Sequence, residues 1–403
     1  MTPIATVTRR HRVVVIGGGN GGLSVAGRLV RRGVSDIAVI EPRSEHVYKP
    51  LLSHVAGGTA RLQETMRPQG EVTPRGVTWI QDAASDIDPE RSTVTLGGGD
   101  VIGYDHLIVS AGVQHDWTRV PGLSAALTTP HVVSNYEPDL AGKASVALRD
   151  LRRGTAVFVQ PPGPASCAGA GQKPMYQACD YWRRIGVLDD IRVILVLPTP
   201  TMFGIPEIDA ELERVVARYG IEVRYSTELA IVDGDERHVT LESHGTRERI
   251  DYDVLSVEPS QSAPDWLKAT PLSAASDPGG FVAVDAETLR HPRWPSVWSL
   301  GDAADTTNSK SGGALRKQSY VLAKNLAAVI AGRRPTARYD GYSVCPFTVS
   351  RSTVVFAEFD DRGELKPTIP FWRSMYRENR LSWIFDRRIL PWLYWHAILP
   401  GRL

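Results

Sequence analysis

The sequence predicts an α/β protein: two Rossmann-like dinucleotide-binding domains followed by an amphipathic helical tail. Three observations carry that prediction. Near the start, a β-branched apolar run passes into a glycine-rich turn and then into a helical pattern. Between about residues 150 and 270 the same strand–turn–helix rhythm recurs in altered form. Beyond residue 370 the chain becomes rich in aromatic residues and arginine.

Arg12 to Ile16 reads as a buried strand and Gly17-Gly-Gly-Asn-Gly-Gly22 as a tight turn. Leu23 to Arg32 then reads as a helix, and Ile37 to Ile40 as a second strand ending at Glu41. Gly17, Gly19 and Gly22 fall on the G-x-G-x-x-G template of a βαβ unit. Such glycines let the backbone turn sharply and bring a helix N-terminus against a pyrophosphate. Glu41, 19 residues after Gly22, is placed to accept from a ribose 2′-hydroxyl, and its charge disfavours a 2′-phosphate. A glycine turn of purely structural purpose would not need strand, helix and acid to agree. A dinucleotide site is expected, with FAD and NAD both open at this point.

Asp105 to Gly112 is a strand ending in the small residues Ala111 and Gly112, where a backbone must approach a ligand closely. Ser296-Val-Trp-Ser-Leu-Gly-Asp302 repeats that form and closes on Gly301 and Asp302. This Gly-Asp end resembles the distal FAD motif, in which the Asp accepts from a ribityl hydroxyl. Alone, Asp302 reads equally well as a helix N-cap; together with residues 13–41 it points to FAD. The expected organisation is an FAD domain split into 10–115 and 275–335, with a second Rossmann-like domain at 116–274. A C-terminal region, 336–403, completes the chain.

In the second domain, strands are expected at Thr155 to Gln160 and Ile191 to Leu197, with helices at Met175 to Arg184 and Ala210 to Tyr219. The turn after the first strand is Pro161-Pro-Gly-Pro164, not a glycine fingerprint. Proline removes backbone donors and fixes φ, so the usual pyrophosphate cradle cannot form there. Cys167 follows that turn, and Cys345, 178 residues later, precedes Pro346 in a segment that reads as turn-like. A thiol standing where a nicotinamide site would be expected points to electrons arriving through sulfur. Cys179 falls on the helix and reads as a core residue.

The tail, 371–403, holds four of the ten tryptophans and six arginines against only Glu378 and Asp386. Aromatics mixed with arginine on short helices suit a protein lying in the headgroup region of a membrane, the alternative being helices docked on their own core.

Composition narrows the rest. At 403 residues, 42% hydrophobic and 23% charged, the chain is an ordinary globular protein with room for two cores. A net charge of +1 gives no field for nucleic acid, and no motif for it occurs. The longest apolar stretch, Ile191 to Leu197, cannot span a bilayer. Met1 to Arg12 lacks the apolar core of a secretory signal. Three cysteines form no disulfide scaffold, and no Cys-x-x-Cys or histidine ligand spacing occurs, so no metal site is expected.

Taken together, these segments resemble the sulfide:quinone oxidoreductases, flavoproteins of glutathione-reductase-like fold, most of all the subgroup that includes the mitochondrial enzyme. The resemblance covers nearly the whole chain. It runs through Val14 to Gly22, His46-Val-Tyr-Lys-Pro-Leu51, and the first-cysteine motif Cys167-Ala-Gly-Ala-Gly-Gln-Lys-Pro-Met-Tyr176. It continues through Gly301 to Lys310, the second-cysteine motif Tyr339 to Pro346, and Leu390-Pro-Trp-Leu-Tyr-Trp395. The resemblance implies that Cys167 and Cys345 are a redox pair beside the flavin, with Lys173 near the sulfur pocket. It implies that Lys310 and Gly313 lie at the pyrimidine end of the ring, and that Lys49, with Tyr48 and Pro50, runs beside it. It further implies sulfide as electron donor, a quinone as acceptor and a small sulfur acceptor such as a thiol, sulfite or sulfide. The tail is then expected to hold the protein peripherally on the cytoplasmic side of the cell membrane. A homo-oligomer is left open.

The chain departs from the pattern in two places. Val113-Gln-His-Asp-Trp117 lacks the third cysteine of some bacterial members, and Asp360 to Lys366 differs from the expected run. Two other readings compete. An NADH:quinone dehydrogenase of the same fold is disfavoured by the proline-rich turn. A flavin-binding persulfide carrier leaves the aromatic tail without a purpose.

Overall fold

The computed structural model describes residues 6–274 and 277–403; the expected domain boundary at 275 lies outside the described residues. Two mainly parallel sheets organise the chain. In the first, Val13 to Ile16 of the strand Arg9–Ile16 are buried on both faces, as a central parallel strand requires. Ile37–Ile40 pairs along one edge and Val101–Val109 along the other, while Val77–Ile80 extends the sheet beyond Ile37–Ile40. An antiparallel meander, Ala84–Asp88 and Thr93–Leu96, pairs with the first half of Val101–Val109. The second half of that strand takes Val297–Ser299 in parallel register, Leu107 opposite Val297. A strand from far downstream thus completes a sheet begun at residue 9.

The second sheet is built in the order Val132–Val133, Val254–Val257, Gly154–Val159, Ile191–Val196, Glu222–Arg224, all parallel. Gln172–Arg184 and Pro206–Tyr219 are its crossover helices. A two-residue ladder, Gln114–His115 against Gln261–Ser262, lies where the chain enters and leaves this sheet.

The sequence reading of Cys345 needs correction. It lies in the middle of the strand Ser343–Thr348, paired antiparallel with Val354–Phe359, and is fully buried. A two-stranded ribbon tolerates Pro346 because the missing N–H falls on an unpaired edge. Cys345, Phe347 and Val355 join Phe158, Met175 and Trp182 in one apolar core. That packing presses the hairpin onto the helix that carries Lys173. Cys179 is fully buried in the same core.

Residues 380–398 form one continuous helical run, opened by Asn379, whose side chain accepts from the amides of Leu381 and Ser382. Its end docks on the first domain: Tyr394, Trp395 and Leu399 pack with Leu23 and Tyr48. The chain comes so close that a Cβ on Gly27 would meet the Pro400 carbonyl carbon at 2.7 Å. Docking is only half the story, since Leu381 (63% exposed) and Trp392 (60%) face outward. Among the described residues no helix is long and apolar enough to cross a membrane.

Candidate active site

The loop between the strand Gly154–Val159 and the helix Gln172–Arg184 carries Cys167 in a left-handed conformation, φ +59°. A residue with a side chain pays ~1–3 kcal/mol for such a backbone, so surrounding contacts must impose it. They are numerous. The Cys167 amide donates to Lys310 O at 2.6 Å, and Ser166 bridges Lys310 in parallel. The Ser166 amide donates to Gln261 Oε1 (2.9 Å), its hydroxyl to Asp302 Oδ2, and Tyr136 OH donates to its carbonyl (3.2 Å). Asn135 Nδ2 holds Ala170 O at 3.2 Å. Gly169 permits the approach to the hairpin, because a Cβ there would lie 2.3 Å from the Phe347 ring and 2.9 Å from Cys345 Sγ.

This clamp brings the two sulfurs to 3.6 Å, with Lys173 Nζ donating to Cys167 Sγ at 3.3 Å. All three residues are buried or half-buried, so their charges act at low dielectric. The Cys345 thiol donating to it, aided by the Lys173 ammonium, lowers the Cys167 pKa to about 6 in spite of burial. Giving that hydrogen bond, together with burial, holds the Cys345 thiol well above the ordinary range. Burial works against the Lys173 ammonium, yet the negative charges at the cysteines and Asp386 raise its pKa. Cys167 is therefore the thiolate and Cys345 the thiol at neutral pH.

Sequence reasoning missed Glu258, which follows the strand Val254–Val257 beside the cysteine loop. It is 2% exposed, and neither carboxyl oxygen has a hydrogen-bond partner. Burial pushes its pKa far above the carboxylate range. A Cβ on Gly171 would lie 2.7 Å from its Oε2, so the loop folds directly over it. The available signal was its position, an acid ending an apolar strand at the edge where ligands of this architecture bind.

The residues assigned to a dinucleotide form a cradle in the first domain. Gly17, at φ +95°, lies against Ser110, where a Cβ would meet the carbonyl oxygen at 2.4 Å. A Cβ on Gly22 would sit 1.8 Å from Gly17 O, while Gly19 and Gly112 have open space before them. The helix Asn20–Arg31 begins without a side-chain cap, leaving its first amides free for an anion. Glu41 is buried at the strand end, accepting from the Gly18 amide at 2.9 Å. Ala111 is half-buried, its Cα 3.2 Å from where a Cβ on Gly17 would lie, and Gly301 adopts φ +68° at the tip of the late strand. Asp302, beside it, receives the Ser166 hydroxyl. These features fit FAD, which needs donors at the pyrophosphate and an acid at the ribose.

The contacts of three further residues are as follows. Lys310 Nζ donates to Asp302 O (2.9 Å) and Ala304 O (2.7 Å), which ties this cation to the 301–304 turn; burial lowers its pKa. At Gly313 a Cβ would lie 1.9 Å from Val344 Cγ1. Its smallness serves the contact between the helix Gly312–Ile330 and the Cys345 strand. Lys49 is exposed at the head of the short turn Lys49–Leu51. A cluster that spacing did not reveal, Asp233, Glu236 and His238, lies on a hairpin where Arg249 already reaches Glu236 at 3.3 Å.

Comparison with known proteins bears on this geometry. The sequence profile of the pyridine nucleotide-disulphide oxidoreductase family matches residues 11–325. The mitochondrial sulfide:quinone oxidoreductase of Mus musculus is 33% identical over 98% of this chain and 88% of its own. The chain belongs to the sulfide:quinone oxidoreductase family. Its counterpart in Dictyostelium discoideum is 32% identical, covering 97% of this chain and 86% of that one. The solved structure of the Aquifex aeolicus sulfide:quinone oxidoreductase superposes with a TM-score of 0.82 at 18% identity, over 97% of this chain and 92% of that one. Membership makes the protein a flavoprotein with FAD as its cofactor.

Proposed function

We propose that the protein oxidises hydrogen sulfide to sulfane sulfur at Cys167 and Cys345 and delivers the electrons to a membrane quinone. The observation that carries this reading is the clamped sulfur pair, 3.6 Å apart with an ammonium on one member. Bound FAD would supply the two-electron relay between sulfur and quinone.

In the oxidised pair the sulfurs are joined directly or through one intervening sulfur. Two S–S bonds of about 2.05 Å meeting at an ordinary angle span only a little less than the observed separation. HS⁻ attacks Cys345 Sγ and breaks its bond to the sulfur on the Cys167 side. In the direct disulfide the incoming sulfur stays on Cys345 as a persulfide and Cys167 leaves as a thiolate; in the bridged form Cys167 leaves as a persulfide anion that still carries the bridging sulfur. The lower pKa of Cys167 makes it the better leaving group, and Lys173 neutralises the charge that develops on it. A small thiol, sulfite or a second sulfide then removes the sulfane sulfur from Cys345. Glu258, neutral beside the loop, adds no charge to oppose the thiolate.

The tail gives the quinone end its setting. Exposed Leu381, Ile384, Ile389 and Trp392 alternate with exposed Arg380 and Arg388 on one helical run. Such a face supports a peripheral seat in the headgroup layer, without spanning the bilayer, where a lipid-soluble quinone is found.

The test is anaerobic. Sulfide should bleach the flavin of the wild-type protein and NADH should not, and a soluble quinone should restore the oxidised spectrum. Cys167→Ser should keep its FAD and lose sulfide-dependent bleaching. Normal sulfide turnover by that variant would end the proposal.

A further inference from the structure

An open cavity of about 480 Å³ lies between the helix Asn20–Arg31, the helix Gly312–Ile330 and the segment 337–340. No residue that lines it belongs to the sulfur pocket or the glycine cradle. Arg28, its contribution from the first helix, stands about 12 Å along the axis from the cradle end at Asn20.

The charge in this cavity is one-sided. Arg28, Arg316, Lys317, Lys324 and Arg338 line it against a single acid, Asp340. Asp340 is already shared by Lys317 at 3.1 Å and Lys366 at 3.0 Å, and Arg338 reaches Glu287 at 3.2 Å. Among the described residues no carboxylate pairs with Arg316 or Lys324. Arg28 is the deepest cation, 7% exposed. Its guanidinium donates to Ser319 Oγ (3.1 Å), Arg316 O (3.5 Å) and Leu403 O. Burial, with the like charges of Arg32 and Arg316, lowers its pKa to about 10. Even a full negative charge at Leu403 would leave the cations in excess.

The crowding is organised around one ring. Tyr320 has Arg32 at 5.5 Å, Arg28 at 5.7 Å and Lys324 at 5.8 Å from its centroid. An aromatic face offsets part of their mutual repulsion. Cations near a helix end complement its dipole, which accounts for Arg28 and Arg32. Arg316 and Lys324 lie in the body of the second helix, where no such reason holds. Like charges four residues apart, as Arg28 and Arg32 are, oppose the helix unless an anion shares them.

The donors define what fits. Guanidinium forks match the oxygens of a phosphate two at a time, and lysine adds a mobile point charge. The volume is that of a small-ligand site, room for a phosphate and its substituent. Leu403, at the far end of the tail, lines the cavity, so the outward apolar face of the tail and this basic cavity belong to one segment. We propose that the cavity binds a phosphate group, supplied by the headgroup of an anionic membrane lipid. The phosphate reading stands on the cavity alone; the lipid source rests on the tail's proposed seat in the headgroup layer.

The test uses the FAD-loaded protein in two arms. The first measures co-sedimentation with phosphatidylcholine vesicles, with and without phosphatidylglycerol. Arg316→Gln/Lys324→Gln should weaken binding to the mixed vesicles by about 30-fold. Binding to phosphatidylcholine alone and flavin bleaching by sulfide should stay at wild-type levels. Lys324→Gln by itself, at an exposed position, should lose about fivefold, and serves if the double variant does not take up FAD. Arg75→Gln/Arg153→Gln removes the same charge from exposed arginines outside the cavity and should bind as wild type. The second arm is equilibrium dialysis against labelled inorganic phosphate without vesicles. Phosphate held by wild type and lost by the cavity variant, with no preference for phosphatidylglycerol, would keep the site and assign it to a soluble phosphate. A wild type that binds no vesicle removes the lipid source together with the tail's seat, and the phosphate arm then decides. Cavity variants equal to wild type in both arms, or an equal loss in the control pair, overturn the proposal.

Discussion

Lys173→Met isolates the force that ionises Cys167. Methionine keeps the length of the stem and removes the charge, and the cysteine clamp makes no use of the ammonium. At 3.3 Å and an effective dielectric of about 20, two unit charges attract by about 5 kcal/mol. That figure is an upper bound, because the lone Cys167 thiolate still receives the Cys345 hydrogen bond and the sulfur charge is diffuse. Opposite charges at contact distances shift pKa values by about 1–3 units, and we expect about 2.5. The Cys167 pKa should then rise from about 6 to about 8.5. At pH 7 the thiolate fraction would fall from about nine-tenths to about 3%, a loss of about 30-fold in nucleophilic sulfur. The assay is the initial rate of iodoacetamide alkylation of reduced protein against pH, with the site located by mass spectrometry. Cys179, fully buried with its pKa raised by burial, stays silent. An alkylation profile whose midpoint moves by less than half a unit would refute the assignment of Lys173 as the counter-ion.

Two further outcomes are expected. Glu258 has its carboxyl pKa raised by burial, so the folded state holds a proton that the unfolded chain loses above about pH 4.5. Its stabilising share is complete below that pH and is lost as pH rises. Glu258→Gln should therefore match wild type in urea unfolding near pH 4 and be the more stable by pH 7.5. The gap should widen by up to about 1.4 kcal/mol per pH unit, and parallel pH curves would show that Glu258 ionises freely. Replacing Leu381 and Trp392 by serine removes two outward apolar side chains worth about 1.5–3 kcal/mol each when fully buried. Co-sedimentation with liposomes should weaken by at least about tenfold while sulfide still bleaches the flavin. Unchanged liposome binding would assign the tail to another partner.

The sequence carried the first βαβ unit well because every local signal agreed: a β-branched strand, fingerprint glycines and an acid at the next strand end. The same agreement failed around Cys345. Pro346 suggested a turn, yet the hairpin forms because Phe347, Val355 and Ala357 are drawn into a core shared with Phe158 and Trp182. Tertiary burial of that kind leaves no period in a six-residue segment. Gly313 has a packing role that its sequence context does not announce. It stands beside a ligand motif, and the space where its side chain would be is filled by Val344. Glu258, His54 and Asp386 are separated by hundreds of residues or by whole elements, and no spacing rule connects them before the chain is folded.

What the folded chain adds is the order of charges around one sulfur. An acid close to Cys167 would raise its pKa, and two acids are close: Glu258 and Asp386. Each is disarmed differently. Glu258 is sealed under Gly171 and stays neutral, so it costs the thiolate nothing. Asp386 faces Nε2 of His54, and its charge supports the Lys173 ammonium as well as opposing the sulfur. Lys173 is thereby kept protonated when the cysteines are oxidised and no thiolate remains to hold its charge. The next HS⁻ then meets a pocket that is already positive. Removing Asp386 should therefore cost more in the oxidised state than in the reduced one, which is the direction required of a group that returns Lys173 to readiness between turnovers.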